Sequence, residues 1–79
     1  MRVIWLPQAK SQLRQTASYI LKEFGQRVRS EFMQDVQHAN MLLSENPNMG
    51  SPEPLLADRS IMYRSYVVNR LNKIVYFIL

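Results

Sequence analysis

Two apolar stripes constrain this chain more than any other feature. Between Pro7 and Phe24 the apolar residues recur at Ala9, Leu13, Ala17, Ile20 and Phe24; a second set follows at Val28, Phe32, Val36, Ala39 and Leu43. Spacings of three and four put each set on one face of a helix. Lys10, Arg14, Ser18 and Lys22 fall on the other side of the first. Pro7 suits a first helical turn, where its missing N–H costs nothing. Gly25 alone separates the two patterns, and Asn46-Pro47 stops the second, because a residue before proline avoids the α region. The spacing predicts helices over 7–24 and 26–45, folded back as an antiparallel hairpin that shares one apolar face.

The remaining segments read as strands and a loop. Residues 2–6 carry Val3, Ile4 and Trp5, a short β-favouring stretch. Residues 46–58 hold three prolines and a glycine, which marks a loop. Residues 59–68 and 73–79 are β-branched and aromatic, with "NRLN" between them as the turn. The expected order is β-α-α-β-β, an α+β domain with the hairpin packed on a small, mainly antiparallel sheet. With 79 residues and no cysteine, the chain is one small domain without disulfide staples. A binding partner is therefore an expected source of extra stability. The run 73–79 leaves an apolar, β-prone edge of the kind natural sheets cover. A further strand of the same protein, a strand from another chain, or a homodimer formed through that edge would each cover it.

The net charge of +4 favours acidic partners. No apolar run is long enough to span a bilayer, and "MRVIWLPQAK" is not a secretory signal, so a cytoplasmic location is expected. The basic set of the sheet half, Arg59, Arg64, Arg70 and Lys73, is interleaved with Tyr63, Tyr66 and Tyr76. Arginines beside tyrosines can clamp phosphate while rings stack on bases, although the same residues are ordinary on the solvent side of a sheet. Arg59, Arg64, Arg70, Lys73, Tyr66 and Tyr76 are the candidate partner contacts.

Chemistry has few carriers. His38, the only histidine, lies off the apolar stripe of its helix and reads as solvated. No nucleophile elbow, phosphate loop or metal-ligand spacing is present, and no cofactor is expected. Gly25 and Gly50 read as punctuation. Tyr19 and Met41 lie off the stripes and read as surface. Metal-free RNA cleavage needs a base, cations for the phosphate and an acid. Arg59, Arg64, Arg70 and Lys73 could supply the cations and Tyr76 a conceivable acid, but no base accompanies them.

The ordered set of Pro7 and Ala9, then Leu13 and Ile20, Gly25, Phe32, "NPNMG", and Arg64 before a strand ending "VYFI" resembles the RelE/ParE toxin superfamily of bacterial type II toxin–antitoxin systems. The similarity spans essentially the whole chain. It implies a toxin neutralised by a cognate antitoxin, an acidic segment that folds on contact. It also implies one further strand after Tyr76, so the family's last strand is expected to be missing from this chain. The ParE-like branch, a plasmid-stabilisation type of toxin that poisons DNA gyrase without being an enzyme, fits better than the RelE-like branch. RelE-like members cut mRNA on the ribosome; Arg59, Arg64, Lys73 and Tyr76 would then be the catalytic candidates. A small basic nucleic-acid-binding domain without toxin activity is the second alternative. Long helices joined at one glycine do not suit a helix-turn-helix reader.

Overall fold

A computed structural model describes residues 2–69 and 71–79. Helix α1 spans Pro7–Phe24 and α2 spans Gln26–Glu45, both as the periodicity predicts. Pro7 opens α1 without a side-chain cap. Gly25 ends it, its N–H donating to the Leu21 carbonyl at 3.1 Å, and the Gly25 carbonyl accepts from the Arg29 N–H at 3.2 Å to start α2. Gly25 sits at φ 91° and ψ 175°, a region essentially reserved for glycine. One residue thus reverses the chain.

The shared face is the core. Ala17, Phe32, Val36, Ala39 and Leu43 are buried, and Trp5, Leu13, Ile20, Met33 and Val68 pack around Ala17, Phe32 and Val36. Phe24 departs from its stripe. At the helix end it is 60% exposed and stands edge-on to Tyr19, with ring centroids 6.4 Å apart.

The sheet has three antiparallel strands in the order β1 (Ser51–Pro52), β2 (Tyr63–Val67) and β3 (Lys73–Phe77). A 3₁₀ turn, Pro54–Leu56, follows β1, so the expected 46–58 loop contains two short elements. The strand expected over 59–68 begins only at Tyr63. Arg59 donates its N–H to the Leu56 carbonyl and prolongs the turn, whereas the ladder starts where the Glu53 N–H reaches the Tyr63 carbonyl. The strand expected over 73–79 closes at Phe77. The turn from Val68 to Asn72 is organised by Asn69, whose Oδ1 accepts from the Leu71 and Asn72 N–H groups at 3.0 Å each.

Residues 2–6 do not form the expected strand. The Trp5 indole packs on the hairpin core and donates to Asn40 Oδ1 at 2.8 Å, which draws the stretch onto the helices instead of the sheet. The order is therefore α-α-β-β-β, still an α+β arrangement of helical hairpin and small antiparallel sheet. The molecule is elongated, 39 × 25 × 23 Å, with a radius of gyration of 13.2 Å. A compact domain of this length measures about 11.6 Å. The connection between the hairpin and the sheet positions the candidate site.

Candidate functional site

Alternation along the strands sorts the candidates onto two faces. Arg64 and Tyr76 are direct cross-strand partners, as are Tyr66 and Ile74, and these four share the face on which Val68 meets the helices. Lys73 is opposite Val67 on the other face, with Ser65, Val75 and the edge-on pair Tyr63 and Phe77. Arg59 is exposed on the turn before β2. Arg70 lies outside the described residues.

On the helix side, the loop after α2 is fastened to the sheet. The Tyr76 hydroxyl donates to the Pro47 carbonyl at 2.7 Å and accepts the Gly50 N–H at 2.9 Å. Arg64 Nη1 donates to the Gly50 carbonyl at 2.8 Å and makes a longer contact of 3.5 Å with the Asn48 carbonyl. Gly50 is more than punctuation. A Cβ there would lie 2.6 Å from the Tyr76 hydroxyl and 2.7 Å from the Ser65 carbonyl, so only a bare backbone fits.

On the opposite face, Lys73 Nζ donates to both carboxylate oxygens of Glu53, at 2.8 and 2.9 Å. Glu53 is 3% exposed. Its pKa is lowered, first by the hydrogen bond from Lys73 and then by one from Ser65. The pair ties the end of β1 to β3 across β2. No sequence signal pointed to Glu53, because its partner is twenty residues away.

These bonds decide what the residues can do. The Tyr76 proton is engaged by a carbonyl, one Arg64 amino group binds backbone, and the Lys73 charge is neutralised by Glu53. His38 is exposed on α2. Among the described residues, Arg64 and Tyr76 share one face and Lys73 lies on the other, so the acid and the cations do not share one open space.

Further cations without an ion-pair partner among the described residues lie on the hairpin. Lys10 and Arg14, exposed and one turn apart on α1, rim a groove of about 340 Å³ floored by Trp5, Leu13, Met33 and Val36. A second cleft of about 220 Å³ lies between the hairpin and β3, with Trp5, Leu13 and Ile74 in its lining. Trp5 borders both. An apolar floor with a cationic rim suits a protein segment that carries apolar and acidic side chains.

Among the described residues, no helix is long and apolar enough to cross a membrane. Searches of curated proteins and of solved structures each return no match. The family described as the ParE toxin of the type II toxin–antitoxin system parDE has a model that matches residues 3–78. ParE-type toxins pair with a cognate antitoxin. Hairpin, sheet and both clefts all fall within the match, and the chain belongs to the ParE toxin family of type II toxin–antitoxin systems.

Proposed function

We propose that this toxin acts in the cytoplasm by binding and poisoning DNA gyrase, not by cutting RNA, and that an acidic antitoxin segment silences it by docking on the hairpin. The observation that carries this reading is the internal use of the nuclease candidates. Tyr76 and Arg64 hold the 47–50 loop, and Lys73 holds Glu53. A ribonuclease of the RelE-like type would need those groups free to meet a phosphate and a 2′-hydroxyl.

The groove rimmed by Lys10 and Arg14 supports an acidic partner, because desolvated apolar contact and two cations act on the same segment. Arg59, Arg70 and Tyr66 remain candidate contacts to the target. The net charge of +4 speeds encounter with acidic protein surfaces.

The test is direct. Purified protein is added to gyrase and relaxed plasmid, and in parallel to translating ribosomes with mRNA. Blocked supercoiling with intact mRNA is expected, relieved by stoichiometric antitoxin. Intact supercoiling with mRNA cut at the ribosomal A site would replace this reading with the RelE-like one.

A further inference from the structure

Residues 54–62 leave the sheet and return to it at one point. The Glu53 N–H donates to the Tyr63 carbonyl at 2.9 Å, so the residues between them form a loop whose ends touch. Compact surface loops closed in this way are frequently functional. The base of the loop is fastened, because Glu53 is buried and holds the Lys73 ammonium with both carboxylate oxygens. Its path is fixed as well. Pro54 opens the 3₁₀ turn with a preset φ, and Leu56, Ala57 and Arg59 donate their N–H groups to the Glu53, Pro54 and Leu56 carbonyls at 3.2, 3.4 and 3.2 Å.

What this loop carries is little used inside the molecule. No residue from 54 to 62 is buried. Leu55 is 81% exposed, Met62 64% and Ile61 45%. A single exposed leucine is ordinary, but three large apolar side chains left out on one short loop form a surface that suits a partner. Arg59 stands exposed among them, with no ion pair among the described residues. Methionine and arginine are both enriched at the centres of interfaces. None of these residues lines the groove rimmed by Lys10 and Arg14 or the cleft beside β3. A segment seated in either cleft leaves the loop to a second partner.

We propose that the 54–62 loop is the surface with which the toxin grips its target, an inference that rests on the reading of gyrase as that target. The loop fits an acidic protein surface with an apolar recess: Leu55, Ile61 and Met62 supply the apolar contact, and Arg59 pairs with a carboxylate. Asp58 is exposed beside Arg59 and leaves the loop without net charge of its own. The +4 charge of the whole chain therefore draws the acidic surface in, and the apolar side chains hold it. A loop shaped before contact has less order to gain on binding, which favours affinity.

Supercoiling by purified gyrase, titrated with the full chain and its variants, tests the loop. Leu55→Ser with Met62→Ser is expected to raise the concentration for half inhibition at least about ten-fold, with melting temperature and antitoxin affinity unchanged. Arg59→Glu is expected to weaken inhibition about ten-fold, and Asp58→Asn, which removes a negative charge from the same loop, not to weaken it. Unchanged inhibition by the double variant overturns the proposal. So does a loss that follows a fall in melting temperature or in antitoxin affinity, which marks a damaged fold or an antitoxin contact. Asp58→Asn weakening inhibition as much as Arg59→Glu overturns the acidic partner. Absence of inhibition by the unaltered chain removes the gyrase reading and this inference together, whereas the variants remove this inference alone.

Discussion

The Tyr76 hydroxyl accepts the Gly50 N–H at 2.9 Å across 26 residues of chain, and Gly50 has no room for a side chain at that contact. The bond joins the last strand to the loop that leaves the hairpin. In an elongated molecule it is one of the few ties between the two halves.

Tyr76→Phe is therefore expected to destabilise the fold by about 1–3 kcal/mol, because it strands a buried N–H and a carbonyl. Gly50→Ala forces a Cβ to within 2.6 Å of the same hydroxyl and is expected to cost a similar amount, about 1–3 kcal/mol, through overpacking. The double variant should cost less than the sum, since both act on one contact. Urea midpoints at unchanged m-values measure all three.

Gly25→Ala meets no atom within 4 Å, so its cost is purely conformational. At φ 91° and ψ 175° a Cβ-bearing residue is strained by about 1–3 kcal/mol. Thermal unfolding should show the loss. Gly25→Asn should not rescue it, because asparagine tolerates the left-handed helical region and not this extended one.

Glu53 makes stability depend on pH in a definite direction. Its pKa is lower in the folded state than in the unfolded chain, through Lys73 first and Ser65 second. The contribution is fully present above about pH 4.5, the ordinary value, and is lost as pH falls through the lowered folded value. A plot of stability against pH should slope downward on the acid side, and Glu53→Gln should flatten that slope while lowering stability at pH 7. An unchanged acid slope in the variant would assign it to other carboxylates.

Charge reversal at the groove separates docking from folding. Lys10→Glu with Arg14→Glu is expected to weaken antitoxin binding at least about ten-fold and to reduce its salt dependence, with little effect on thermal stability. Arg64→Ala should instead lower stability, because its guanidinium holds the Gly50 carbonyl. Calorimetric titration and melting curves on the same samples distinguish the two effects.

What could be read from the chain before its coordinates follows the range of each signal. Helix limits at Pro7, Gly25 and Asn46-Pro47 are local, and the stripes repeat every three or four residues, so both helices stand where the pattern puts them. Val3, Ile4 and Trp5 carry equally clear β preference, but preference names no neighbour, and the indole found Asn40 instead of a strand. Ile61 and Met62 likewise look like strand residues, yet the ladder begins only at Tyr63. The internal bonds of Tyr76, Arg64 and Lys73 were hidden for a related reason. Their partners, Gly50 and Glu53, lie 14 to 26 residues away, and no periodicity records such pairings. Family resemblance supplied the kind of protein, while the bonds of individual side chains emerged only from the fold.

Trp5 is the only tryptophan in the chain, and it forms part of the wall of both clefts. Any segment that enters either one must change the polarity around a single indole. The protein thus carries its own optical probe: a shift in intrinsic emission, read without labels, would register a segment arriving in either cleft.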